Sequence, residues 1–241
     1  MTPGSRSTFP LALLAGGLGT RLRPITETIP KALVEVAGEP FIHHQLRLIK
    51  REGLSRVVVC AGYKGEVIHD AIGDGRDFGL EVTYSFDGDQ LLGTGGALVK
   101  AFPLLGDPFW IMYGDTYLDI SFPPIKDYFL SESSSGLITV FRNDNRWDTS
   151  NVLFEKGRVV EYNKKIPSPT MKHIEYGLGI LSQSAFSPWE DKQKFDLGET
   201  YQRLAEGNDL LGFEVTQRFY EIGSQEGLGE TEKYLNQNLK N

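Results

Sequence analysis

The 241-residue sequence predicts a three-layer α/β protein, with a mostly parallel mixed central sheet and helices on both faces. Three observations lead there. In the first half, short apolar runs alternate with helical patterns, and a strand–helix–strand succession lays helices over a parallel sheet through right-handed crossovers. The run Arg56–Ala61 is continuously apolar after its first residue, as in a strand buried on both faces. Glycine clusters follow the first strand and open a later helix, and ligands in such sheets gather at the carboxyl ends of the strands.

Phe9–Ala15 is the first strand, broken by Gly16-Gly17-Leu18-Gly19 into a tight loop. From Pro40 to Arg51, Phe41, Leu46, Leu48 and Ile49 recur at helical spacing; Pro40 suits the start and Gly53 the end. His43 and His44 are neighbours there and cannot share a helix face, so both read as packing or surface residues. Gly65–Ile72 is a short helix closed by Gly73-Asp74-Gly75, and Leu80–Phe86 alternates as a strand. Leu92–Ala97 opens a helix running to Phe102, and the strand Phe109–Tyr113 ends in Gly114-Asp115-Thr116. The second half is different. Phe122–Leu130 is helical, and 131–136 is a polar loop. Leu137–Phe141, Asn151–Phe154, Val159–Tyr162 and Ile174–Leu181 are strand-like, with Glu155-Lys156-Gly157-Arg158 as a hairpin turn. Leu197–Ala205 and Gln225–Leu239 are helical, with Phe213–Val215 and Phe219–Ile222 as short strands between them. No repeat and no linker divides the chain, so 1–241 reads as one domain: a first part over 9–120, a second over 121–224 and a C-terminal helix over 225–239.

Composition narrows the function. A net charge of −7 argues against a nucleic-acid binder, although an acidic chain can hold polyanions in a locally basic site. Cys60 is the only cysteine, which excludes an intrachain disulfide and fits a reducing cytoplasm. No apolar run is long enough for a membrane span, and Met1 to Pro10 has no apolar core of the kind that marks a leader.

The most informative stretch is Leu14–Pro40, LAGGLGTRLRPITETIPKALVEVAGEP. Glycines let a backbone approach a ligand closely and aim its N–H groups at phosphate oxygens. Arg21 and Lys31 would add fixed positive charge to that anion site. The third glycine of a dinucleotide fingerprint is missing, which with the loop arginines excludes a nicotinamide-dependent oxidoreductase, and no GK[ST] follows as in a P-loop. The whole string, GGxGTRLxPxTxxxPKxLxxVxGxP directly after a first strand, resembles the signature of the sugar-phosphate nucleotidyltransferases. Four further segments resemble motifs of that family: Leu92–Ala97, Tyr113-Gly114-Asp115, Val160–Lys164 and Phe219–Ser224.

The resemblance implies a Rossmann-like nucleotide-diphospho-sugar transferase fold. It also implies an enzyme that joins a nucleoside triphosphate to a sugar 1-phosphate with Mg²⁺ and releases pyrophosphate. It assigns the nucleotide to Leu14, Ala15, Gly16, Gly17, Gly19, Thr20, Arg21, Asp87, Gly93 and Thr94. The sugar phosphate falls to Asn151, Lys164, Glu175 and Gly177, and the metal to Asp115 and Glu221. Arg21, Lys31, Asp115 and Lys164 form the catalytic set. The loop Asp87–Gly96 is expected to wrap the nucleobase, with Gly93 allowing close backbone contact and Asp87 or Asp89 accepting the two donors of guanine. Four departures mark this chain. Glu221 stands where the family usually has aspartate, and Glu175 where many relatives have asparagine. Trp147–Val152 replaces the usual YG-V pattern, and Lys164 precedes lysine rather than proline. The loops and the chain length look most like guanylyltransferases of mannose or heptose 1-phosphate. Uridylyltransferases of amino-sugar phosphates are the alternative, as is a non-catalytic paralogue, which would have lost the charged residues retained here. A homo-oligomer remains open.

Overall fold

A computed structural model describes residues 9–189 and 193–238. Most of the N-terminal segment considered above, and Leu239 of the last helix, lie outside the described residues. In chain order the elements are β1 (Leu11–Leu14), α1 (Ile25–Thr28), β2 (Glu35–Val36), β3 (Glu39–Pro40), α2 (Phe41–Arg51), β4 (Arg56–Ala61), α3 (Gly65–Ile72), β5 (Glu81–Phe86), α4 (Gly93–Ala101), β6 (Phe109–Tyr113), β7 (Thr116–Tyr117), α5 (Pro123–Ser131), β8 (Gly136–Arg142), β9 (Val152–Glu155), β10 (Arg158–Tyr162), β11 (His173–Leu181), α6 (Leu197–Glu206), β12 (Leu210–Val215), β13 (Tyr220–Glu221) and α7 (Gln225–Asn238).

A nine-stranded sheet of order β5-β4-β1-β6-β11-β8-β12-β10-β9 runs through the molecule. The pairings β5–β4, β4–β1 and β1–β6 are parallel, as the crossovers through α2, α3 and α4 require. Of the nine strands only β11 and β10 run against the rest, so the sheet is mostly parallel and mixed. Alternation along the strands divides the core into two layers. Leu11, Leu13, Val57 and Val59 pack with Phe41 and Leu46 of α2, Ile68 of α3, Ile125 of α5 and Leu235 of α7. Ala12, Leu14, Val58 and Cys60 pack on the other face with Leu98 of α4 and Tyr201 and Leu204 of α6.

Lys156 and Gly157 both have positive φ, as a two-residue hairpin turn demands, and they join β9 to β10 at the expected place. β12 is longer than expected, beginning at Leu210. Gly212 interrupts its apolar pattern, but a Cβ there would lie 2.6 Å from the Phe154 ring, so the glycine admits an aromatic side chain from β9. His44 is buried with Nε2 2.8 Å from Val36 O, and His43 packs against Phe78; neither belongs to the site described below.

The glycines that open α4 are required by packing. Phe195 O accepts from Gly95 N at 3.1 Å, and a Cβ on Gly93 would lie 2.5 Å from that same oxygen. Gly93 therefore lies close to the backbone before α6, and it also lines the cavity described below. Gly95→Ala would force the Phe195 ring and its backbone away from α4. We expect a loss of about 1–3 kcal/mol, read as a lower urea midpoint at unchanged slope; an unchanged midpoint would show that the 193–196 segment yields freely.

Candidate active site

The carboxyl ends of β1, β4, β5 and β6 open into a cavity of about 360 Å³. Every residue assigned above to the nucleotide lines it, together with Lys31 and Asp115. The glycine loop is bound to the end of β4: Ala15 N donates to Cys60 O at 2.9 Å, and Gly16 O accepts from Tyr63 N at 3.2 Å. Gly19 has φ +60, and its carbonyl accepts from Thr26 Oγ1 at 2.8 Å, which ties the loop to α1. A Cβ on Gly17 would meet nothing within 4 Å, so packing does not demand that glycine. Cys60 at the floor of the cavity is buried, and desolvation, followed by the charge of Asp87, pushes its thiol up to about 12. It therefore stays protonated and inert.

Asp115 enters this cavity because β6 ends against β1. Gly114 N donates to Leu14 O at 3.0 Å, and a Cβ at Gly114 would lie 2.7 Å from that oxygen, so only glycine permits the approach. The buried Gln45 braces the turn, its Nε2 donating to Tyr113 O at 2.9 Å and to Thr116 O at 2.8 Å. Sequence reading overlooked Gln45, because a polar residue on an apolar helix face gives no sign of what it reaches. Lys31 Nζ donates to Asp115 Oδ2 at 2.7 Å, joining residues 84 positions apart. Arg21 lines the cavity beside them.

β13 pairs with β7, setting Glu221 opposite Thr116, and Ile222 N donates to Asp115 O at 2.9 Å. The Glu221 carboxylate turns back onto its own loop: one oxygen accepts from Gly223 N and the other from Ser224 Oγ at 2.8 Å. A Cβ built on Gly223 would lie near that carboxylate, 3.1 Å from Arg21 Nη2 and 3.2 Å from Lys31 Nζ. Glu221 and Asp115 thus stand on the same side of the junction, each near Lys31, although the Glu221 carboxylate is turned onto its own loop. Among the described residues no group of three or more His, Cys, Asp or Glu is arranged to hold a metal. The donor chemistry still fits, because Mg²⁺ takes one or two carboxylates and completes its shell with phosphate oxygens and water.

A second cavity, about 650 Å³, adjoins the first and shares Arg21, Tyr113 and Asp115 with it. The residues assigned to the sugar phosphate all line this one. Lys164 Nζ lies 2.9 Å from Glu175 Oε2 and 3.3 Å from Tyr113 Oη. Tyr162 Oη donates to the same Glu175 oxygen at 2.5 Å. Burial pulls the Lys164 ammonium down, but the Glu175 charge and hydrogen bond outweigh it and hold it above the ordinary lysine value. Burial and the Glu175 charge hold both phenols, Tyr113 and Tyr162, well above the ordinary tyrosine range, so they remain neutral hydrogen-bonding groups. Asn151 Oδ1 accepts from Glu175 N at 2.9 Å, so that side chain positions β11. Gly177, φ +100, sits at the irregularity between Glu175 and Gly179 in the β11–β8 register and lets Thr116 approach.

One of the two acidic candidates of the base loop stands outside the cavity. Asp89 is exposed and does not line the cavity. Thr94 Oγ1 is engaged by the start of α6, accepting from Leu197 N at 2.8 Å. Asp87 is buried at the cavity wall, with Oδ2 accepting from Leu92 N at 3.0 Å. Burial pushes its carboxyl up, against the pull of the Leu92 N–H and of the Lys100 charge.

The nucleotidyl transferase family model matches residues 12–155. The D-glycero-alpha-D-manno-heptose 1-phosphate guanylyltransferase of Campylobacter jejuni is 31% identical over 197 residues, covering 80% of this chain and 86% of that protein. The chain belongs to the sugar-phosphate nucleotidyltransferase family. It is an enzyme of the sugar-1-phosphate nucleotidyltransferase type. The N-acetylmuramate alpha-1-phosphate uridylyltransferase of Neisseria meningitidis is 41% identical over 111 residues, 46% of this chain and 48% of that protein. A mannose-1-phosphate guanyltransferase of Kluyveromyces lactis is 28% identical over 93% of this chain, which spans 64% of that protein's length. The fold agrees with solved members: a putative glucose-1-phosphate thymidylyltransferase from Bacillus anthracis superposes with a TM-score of 0.84 at 20% identity, covering 95% of this chain and 96% of that one. Among the described residues no helix is long and apolar enough to cross a membrane.

Lys31→Ala removes the ammonium from the wall of the first cavity. Turnover should fall by roughly a hundredfold or more, as when a preorganised charge is lost at a transition state. The pair with Asp115 is part-exposed, so the melting temperature should hardly change. Wild-type turnover in this variant would remove Lys31 from the catalytic set.

Proposed function

We propose that this enzyme transfers a nucleoside monophosphate from a nucleoside triphosphate, GTP in preference, to a mannose- or heptose-type sugar 1-phosphate in a Mg²⁺-dependent reaction. The observation that carries the reading is the junction of two cavities. One has a glycine loop and two cations suited to a triphosphate, the other a lysine and buried polar groups suited to a sugar phosphate, and Arg21, Tyr113 and Asp115 belong to both.

The junction brings two polyanions together and offsets their charge. The sugar-phosphate oxygen is already ionised at neutral pH, so no general base is required. It attacks the α-phosphorus, a new P–O bond forms, and the bond to the β-phosphate oxygen breaks with its electron pair passing to pyrophosphate. Arg21 and Lys31 stabilise that leaving charge, while Lys164 holds the incoming phosphate. Asp115 and Glu221 would hold Mg²⁺, which when bound screens the phosphate oxygens. For Glu221 to do so, its carboxylate must leave Gly223 N and Ser224 Oγ.

The base preference rests on Asp87, the acidic side chain at the cavity wall. A carboxylate can accept both the N1–H and N2–H₂ of guanine, whereas uracil offers one such donor, its N3–H. The uridylyltransferase similarity over nearly half the chain supports uridine as the second reading. The test is pyrophosphate release with Mg²⁺, each nucleoside triphosphate in turn and a panel of sugar 1-phosphates. An unpaired polar group costs about 1–3 kcal/mol, so kcat/KM should favour GTP by roughly ten- to a hundredfold. A preference for any pyrimidine nucleotide would overturn the guanine reading and leave the nucleotidyl transfer standing, and no release with any pair would overturn the proposal.

A further inference from the structure

The sugar cavity has one wall in common with a neighbouring space. Its wall there is the loop between β8 and β9, where Trp147, Asp148 and Thr149 line the sugar cavity and also a further one of about 490 Å³. Pro167, Ser168 and Pro169 border that outer space. We propose, resting on the function assigned above, that this loop is the specificity element of the enzyme. In this account the outer cavity takes a hydroxylated exocyclic chain, so the preferred acceptor is a sugar 1-phosphate one or more carbons longer than a hexose.

The loop is built to hold a fixed shape. Asn143 is fully buried; its Oδ1 accepts from Trp147 N at 3.2 Å and its Nδ2 donates to Asp148 O at 2.5 Å. Asn145 Oδ1 accepts from Ser150 N at 2.8 Å, and Ser150 Oγ returns the bond by accepting from Asn145 N at 3.1 Å. Trp147 is nevertheless 46% exposed, so burial does not hold its ring in place. The Arg218 guanidinium does, with Cζ 3.5 Å from the indole centroid. Arg218 in turn is ion-paired with Glu230 of α7 and lies 5.1 Å from the Tyr220 ring. A cation–π contact of this kind contributes about 0.5–1 kcal/mol at an exposed site, enough to orient a ring that packing does not fix.

The chemistry of this wall suits a polyol. Tryptophan offers an apolar face to the C–H groups of a sugar, and beside it Asp148, Thr149 and Ser168 offer acceptors and hydroxyls. A hexose in its pyranose form carries one exocyclic carbon, whereas a heptose carries two. The plainer reading is that Trp147 only covers Arg218, and it predicts that changing Trp147 harms all acceptors alike.

The experiment measures kcat/KM for mannose 1-phosphate and for a manno-configured heptose 1-phosphate, with one accepted nucleotide, in the wild type, Trp147→Ala and Trp147→Phe. One carbon's worth of contact in a pocket is worth about tenfold or more. The wild type should prefer the heptose by that factor. Trp147→Ala should erase most of the preference, chiefly through KM for the heptose, and Trp147→Phe should restore most of it. Equal losses for both sugars, or a wild type that prefers the hexose, would overturn the proposal. Acceptance of some other sugar 1-phosphate but neither of these would overturn it while leaving the nucleotidyltransferase function intact, and failure with every sugar 1-phosphate would sink that function itself.

Discussion

The ion pair between Lys31 and Asp115 is the contact on which the site depends. It is part-exposed, and pairs of that kind add only about 0–1 kcal/mol to stability. Its importance is organisational. It joins the signature loop that follows β1 to the turn that ends β6, and it sets a cation and a carboxylate side by side where two cavities meet. Much of the neighbouring backbone serves that placement. Gly114 lets β6 close on Leu14, Gln45 grips both carbonyls of the Tyr113–Thr116 turn, and Ile222 binds Asp115 O from the other side.

A net charge of −7 is an unpromising background for binding two polyanions. The molecule meets this locally. Arg21 and Lys31 stand at the junction, and Lys164 stands across the sugar cavity over the Tyr113 ring. Each of the two lysines is paired with a carboxylate, Lys31 with Asp115 and Lys164 with Glu175. An arriving phosphate therefore competes for cations that already have partners. For Lys164 the partner is almost wholly buried, with a tyrosine hydroxyl on the same oxygen, so exchange there costs more than at Lys31.

Much of the architecture was legible in the sequence because the parallel half alternates short apolar runs with helical patterns: the strands Arg56–Ala61 and Phe109–Tyr113 and the helix Gly65–Ile72 have the bounds their patterns suggest. The two-residue strand β7 is different. Thr116–Tyr117 is too short to show a period, and what makes it a strand is its partner Tyr220–Glu221 a hundred residues later. The charged residues of the site were legible as types at fixed spacing, whereas their partners were not. Nothing in sequence shows that Glu221 folds onto Gly223, that Asn151 holds the backbone of Glu175, or that Phe195 occupies the space left by Gly93 and Gly95. These are long-range or loop-specific contacts, fixed only once the strands are in register.

The central claim is that the Lys31–Asp115 pair is the resting form of the phosphate site. A crystal structure of the enzyme with Mg²⁺ and a non-hydrolysable nucleoside triphosphate tests it directly. Lys31 Nζ should leave Asp115 Oδ2, now 2.7 Å away, and bind a phosphate oxygen. The freed Asp115 carboxylate should then lie within about 2.1 Å of the metal. A bound nucleotide beside an unbroken Lys31–Asp115 pair, with its phosphates away from the glycine loop, would contradict it.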